Sequence, residues 1–225
     1  MNRKNSALSA AINAFIVIST VIIAVNGISS GAGEGQVGEN MRNWGYLKAF
    51  TNLSNILAAV CAGVMLFFNI KNLTGKSEGL PRGAMLFYYT GTSALGLTFI
   101  IVVGFLGPMF ELTGPGYFTM FKNDMFFFHF LNPLLCGICF VMLQRQFVFG
   151  IKDNFIAIIP TVLYSFVYAY MVVIRQNWSD FYNFTFGGHF ELAPVVMIAM
   201  YAISFLIALA QRKLHNQRVE GAENS

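Results

Sequence analysis

Thr51, Asn52, Ser54 and Asn55 stand within the run Tyr46-Leu-Lys-Ala-Phe-Thr-Asn-Leu-Ser-Asn-Ile56, which opens a long apolar segment. A second polar island, His129-Phe-Leu-Asn132-Pro133, opens another. Polar side chains in such segments are costly, so they mark either a functional site or bonds between helices. A threonine hydroxyl becomes a useful nucleophile only beside a base, and a neutral imidazole is the commonest one. At about 1.5 Å of rise per residue, Thr51 lies about 7–8 Å and His129 about 6–8 Å below the end at which its segment starts. The spacing therefore predicts that the two islands meet at one level.

The neighbours suit the same chemistry. Asn55 follows Thr51 by one helical turn and shares its face, and Asn132 stands in the same relation to His129. Either amide could orient the base or donate to a developing oxyanion, and Asp124 and Glu191 are further candidates for orienting the imidazole. Pro133 has no N–H to offer the carbonyl of His129, so the backbone is expected to loosen at the histidine. The competing reading is structural: a threonine bonding its own preceding turn and a histidine satisfied by a neighbouring helix.

The elements that must position these residues follow from composition. The chain has 225 residues, of which 56% are hydrophobic and only 11% charged; soluble domains carry about a quarter charged residues. The fold class is therefore all-α, a polytopic membrane protein. Six apolar stretches, 8–28, 46–70, 84–106, 125–143, 154–174 and 190–210, each approach the roughly 20 residues needed to cross the hydrocarbon core, and together they form one domain over 1–225. A lipid environment makes each of them a helix, because only a helix satisfies its own backbone. The first is too long for the apolar core of a cleaved signal peptide.

Basic residues divide unequally between the loops. Ten of the 14 Lys and Arg fall in the N-terminal segment, the second and fourth loops and the C-terminal tail, against four (Arg42, Lys48, Lys122 and Arg175) on the other side. The positive-inside rule puts both termini in the cytoplasm and the two polar islands in the outer half of the bilayer. The net charge of +4 is thus a topology signal, and no nucleic-acid partner is implied. The glycine-rich outer loop Ser29–Asn43 is either a lid or a plain linker. Cys136 and Cys139 form a C-x-x-C pattern inside an apolar helix, where packing explains them better than redox chemistry. No P-loop, dinucleotide-binding glycine pattern or metal-spaced His/Cys cluster occurs, and no cofactor or metal is expected.

The segments Trp44-x-Tyr46-Leu47…Phe50-Thr51 and His129-x-x-x-Pro133, in the second and fourth of six helices, resemble the androgen-induced gene and androgen-dependent TFPI-regulating protein family and its bacterial FAR-17a-like relatives. The resemblance covers the helix layout over most of the chain and rests on two short motifs. It implies that Thr51 is the nucleophile and His129 its partner in hydrolysis of fatty acid esters of hydroxy fatty acids, in a bacterial cell membrane rather than a eukaryotic endomembrane. Two departures concern the substrate: a longer spacing from Trp44 to Thr51, and Asp180-Phe-Tyr-Asn-Phe184 where the family has an aromatic-proline motif.

These lines lead to one expectation, an intramembrane lipid ester hydrolase in which Thr51 attacks the carbonyl and His129 carries the proton. An acyltransferase would use the same pair with a lipid hydroxyl in place of water, and a transporter or receptor would use the polar residues as a pocket. The islands are set among Phe50, Phe126, Phe127, Phe128 and Phe130, which favours a lipid substrate entering from the bilayer. Phe128 is a candidate to contact its chains. Lys48, Lys122 and Arg175 are candidates to meet a carboxylate at the surface.

Overall fold

A computed structural model describes residues 3–30, 43–76, 79–182 and 184–223; residues 31–42, the core of the glycine-rich loop, lie outside them. Six helices are long and apolar enough to cross a membrane: Arg3–Ser29, Phe50–Leu73, Arg82–Thr113, Asp124–Leu143, Ile151–Ile174 and Phe190–Gly221. Among the described residues there is no strand. The protein is an all-α, multi-pass membrane protein. Successive spans run in opposite directions: Arg3 donates to the Leu73 carbonyl, and His215 meets the Phe140 and Phe147 carbonyls, so the start of the first span and the end of the sixth lie at one end of the bundle and Thr51 and His129 toward the other.

Small residues allow the spans to approach. A methyl group added at Gly91 in the third span would sit 3.2 Å from the Ala58 Cα of the second, a backbone approach that only glycine permits. Near the terminal end the third and sixth spans are bound together. The Tyr89 hydroxyl donates to the Ala208 carbonyl at 2.5 Å, Ser93 donates to Gln211 at 3.0 Å, and Gln211 donates to the Thr92 carbonyl at 3.2 Å. Around them Tyr89 stacks on Phe140 at 4.9 Å, and Phe140 stacks on His215 at 4.5 Å. At the same end the Arg82 guanidinium bonds Asp153 at 2.8 Å, joining the starts of the third and fifth spans.

Span boundaries differ from the sequence expectation where prolines and side chains redirect the backbone. The third span does not stop before Gly107-Pro108; it continues to Thr113 and closes on Gly114 at φ 111°. Pro108 withholds an N–H from the turn before it, and the ladder absorbs this by widening into a π-helical stretch over Val102–Leu106. The same device appears at Pro133, where Phe127–Leu131 is π-helical with His129 at its centre. The second span begins at Phe50 after a 3₁₀ turn over Asn43–Lys48. The Asn52 side chain donates to the Tyr46 carbonyl at 2.7 Å, and the Phe50 N–H is bonded elsewhere, to the Tyr182 phenol at 2.8 Å.

Candidate active site

The polar island of the second span fans out around the helix, each side chain reaching a different neighbour. Asn52 serves its own turn, and Ser54 Oγ meets Thr98 Oγ1 of the third span at 2.9 Å. Asn55 points to the fourth span: its Nδ2 donates to the Phe128 carbonyl at 3.2 Å and to the Thr51 carbonyl at 2.8 Å, and its Oδ1 accepts from Asn132 Nδ2 at 3.1 Å. The two islands therefore meet through their asparagines. Asn132 extends the network to the first span, donating to Thr20 Oγ1 at 3.2 Å and accepting from Ser19 Oγ at 3.2 Å. Both amides are buried, and both N–H groups of each are engaged, so in this arrangement they hold the backbones of Thr51 and of the residue before His129 in register.

His129 is buried in its π-helical turn, where a widened backbone re-aims the side chain. Its Nδ1 lies 2.6 Å from the Met120 carbonyl. A carbonyl only accepts, so Nδ1 carries the proton and Nε2 carries the lone pair of a base. Among the described residues no hydrogen bond joins this imidazole to the Thr51 hydroxyl.

Thr51 instead lines a cavity of about 270 Å³ enclosed by the second, third, fifth and sixth spans and the loop after the fifth. Its wall is mostly apolar, with Leu97, Ile101, Phe105, Val196 and Met200 among the lining residues, and hydroxyls of Thr98, Thr161, Tyr164, Ser165 and Tyr182 are set into it. The third and sixth spans are bonded near the terminal end and part around this cavity, and Phe105 and Phe186 at its margin are exposed. An apolar chamber with a few fixed hydroxyls has the character of a small-molecule site. His129 is not among the described lining residues.

The other residues singled out by sequence are dispersed. Phe128 is wholly buried, packed with Ile23 and Tyr46 away from the cavity. Lys48 lies at the margin: its carbonyl accepts from the Tyr164 hydroxyl at 2.6 Å, and its ammonium sits 5.7 Å over the Trp178 ring. Lys122 and Arg175 are exposed. Glu191 pairs with His189 at 3.2 Å, both exposed, and Asp124 begins the fourth span.

Sequence reasoning passed over the loop that caps the cavity. Asp180 organises it: its carboxylate accepts from the Tyr168 hydroxyl at 3.0 Å, the Phe184 N–H at 2.8 Å, and the Thr185 N–H and hydroxyl at 2.7 Å each. Tyr182 is held between, its N–H donating to the Tyr168 hydroxyl at 2.9 Å and its phenol reaching back to the start of the second span. The available signal was Asp180-Phe-Tyr-Asn-Phe184 itself, an acid among aromatics in a short loop. Burial alone would raise the Asp180 carboxyl, but the hydrogen bonds from Thr185, Phe184 and Tyr168 outweigh it and hold the group below the usual carboxylate range.

A group depressed in the folded state contributes stability that is complete above its unfolded value and is lost as pH falls through the folded one. Asp180→Asn, which replaces one accepting oxygen by a donor, should lower stability by about 1–3 kcal/mol at neutral pH. Its deficit against wild type in thermal unfolding should stay constant above about pH 5 and shrink below about pH 4, the unfolded carboxylate range. A deficit independent of pH down to about pH 3 would show that the charge is not what holds the loop.

Architecture and site together define a helical membrane protein with a mostly apolar cavity lined by Thr51, and a buried histidine on the neighbouring fourth span. No family model matches the chain, and comparison with curated proteins and with solved structures finds no match.

Proposed function

We propose that this protein hydrolyses lipid esters within the membrane, with Thr51 as nucleophile and His129 as base. The observation that carries the proposal is the Asn55 bridge, which ties the Thr51 carbonyl to the Phe128 carbonyl and so keeps a hydroxyl facing an apolar chamber and a basic imidazole nitrogen in adjoining turns. Resemblance of the Thr51 and His129 motifs to the FAR-17a-like hydrolases points the same way. Thr51 Oγ adds to the ester carbonyl while its proton passes to His129 Nε2, through a water or by rotation of the threonine about χ1. The tetrahedral intermediate expels the alcohol, which takes the proton from His129, and water then releases the acid from the acyl-threonine.

Substrate would enter from the bilayer where the third and sixth spans part, with its chain among Leu97, Ile101 and Met200. A second reading, a lipid-binding or transport protein, draws on the cavity itself, a mostly apolar chamber whose described lining includes Thr51 but not His129. An acyltransferase would differ only in its acceptor. Labelling with a fluorophosphonate probe separates enzyme from binder: an adduct mapped to Thr51, blocked by a long-chain ester, supports hydrolysis or acyl transfer. No adduct together with no ester turnover in lipid nanodiscs would favour the binder.

The surface cations give a further expectation. Long-chain esters with a free carboxylate should be preferred, and replacing the cation that meets it, among Lys48, Lys122 and Arg175, by alanine should raise KM about three- to tenfold with kcat nearly unchanged, the signature of lost ground-state binding. Equal turnover of short water-soluble esters, indifferent to all three substitutions, would remove both the entry route and the charge anchor.

A further inference from the structure

The Tyr182 phenol has a position for which capping a helix is only a partial explanation. Its oxygen accepts the Phe50 N–H at 2.8 Å, at the start of the second span, and the Thr51 amide and hydroxyl lie beside it. An oxygen that accepts from the backbone still has its own proton to give, and that proton can turn toward Thr51, toward the oxygen of the adjoining Tyr164 phenol, or into the cavity that Tyr182 lines. The neighbouring phenol is differently placed: the Tyr164 hydroxyl gives its proton to the Lys48 carbonyl at 2.6 Å. Burial drives the Tyr182 phenol above its ordinary range, so the group stays protonated and serves as a donor, not a base. The first amides of the second span also bring the positive end of that helix to the same point.

We propose that Tyr182 is the oxyanion donor of the Thr51 site, an inference that rests on the hydrolase reading. When the Thr51 Oγ–carbon bond forms, the π pair of the carbonyl moves onto its oxygen, and the threonine proton leaves for His129 Nε2. The Tyr182 O–H hydrogen-bonds that new oxyanion without transferring its proton. The Phe50 N–H polarises the phenol and strengthens the donation. On collapse the carbonyl re-forms and the alcohol departs with the proton held by His129. Tyr182 then touches the reacting oxygen and is a catalytic residue, whereas Asp180 acts through the loop and is a positioning residue.

The test compares Tyr182→Phe with Tyr117→Phe in the whole protein in nanodiscs, using a long-chain ester and counting active sites with a fluorophosphonate. Tyr182→Phe should lower kcat per titrated site about 10²–10³-fold, the usual cost of one oxyanion donor, with KM within about threefold, while Tyr117→Phe, which gives up a phenol bonded to the Val103 carbonyl away from the cavity, stays within about threefold of wild type on both. If Tyr182 is only a helix cap, Tyr182→Phe loses thermal stability and the number of active sites but keeps kcat per site, which overturns the proposal. Should Tyr182→Phe fail to fold, a fluorotyrosine placed at position 182 keeps the shape and offers a more acidic donor. A severalfold change in kcat supports the proposal, and an unchanged kcat overturns it. Failure of the underlying reading looks different, because the wild type would then turn over no ester, or Thr51→Ala protein would retain the wild-type rate.

Discussion

Thr51→Ala and His129→Ala will each reduce turnover of a long-chain ester by at least about 10³-fold, and the double substitution will cost little more than either alone. Members of one catalytic unit do not add, because once the nucleophile is gone there is no proton for the base to take. Thr51→Ser should keep part of the activity, since the attacking oxygen survives. Neither single variant should unfold the protein. Thr51 is only partly buried, and its carbonyl, which Asn55 uses at 2.8 Å, remains in alanine. His129→Ala gives up the 2.6 Å bond to the Met120 carbonyl and should lower the melting temperature by a few degrees, about 1 kcal/mol for one hydrogen bond. Initial rates, thermal unfolding and fluorophosphonate labelling on the same samples decide the matter. Wild-type rates in Thr51→Ala would remove the nucleophile, and collapse of folding in both variants would show that the two residues serve only packing.

Asn55→Leu should do what neither of those changes does, lowering stability and activity together. The side chain makes three bonds, to Thr51, Phe128 and Asn132, and is wholly buried. Interhelical polar bonds in membranes are worth about 0.6–2 kcal/mol each, so a loss of about 2–3 kcal/mol is expected. Freed from the bridge, the second and fourth spans can shift, and a displacement near 1 Å costs about 10²-fold in rate. Ser54→Ala is the control: it breaks the bond to Thr98 in the third span and should cost about 1 kcal/mol while leaving kcat nearly intact. Equal effects of Asn55→Leu and Ser54→Ala on kcat would mean that the bridge holds the bundle together without aligning the site.

The two islands were legible in the sequence because a bilayer makes every polar group conspicuous, and helical rise alone placed them at matching depth. The partners of each side chain were not. Thr51, Ser54 and Asn55 occupy neighbouring positions on one helix, yet they face the cavity, the third span and the fourth span respectively. Which span stands opposite which face depends on packing such as the Gly91 approach to Ala58, and no periodicity encodes that. Phe128 illustrates the limit: its place among aromatics suggested a chain-binding wall, whereas the wider turn at Pro133 belongs to a backbone that packs it against Ile23 and Tyr46.

What the sequence alone determined is the all-α membrane class, with six apolar segments. Hydrocarbon length and backbone hydrogen bonding leave no other solution for such a chain. Only the tertiary structure decided that the third helix continues past Pro108, that Asn55 and Asn132 join the islands, and that Tyr182 closes on the start of the second span. Apolar patterning is a one-dimensional property imposed by the solvent, residue by residue. The cavity and its cap arise from contacts between residues far apart in the chain, such as Phe50 with Tyr182, whose meeting depends on how all six helices pack.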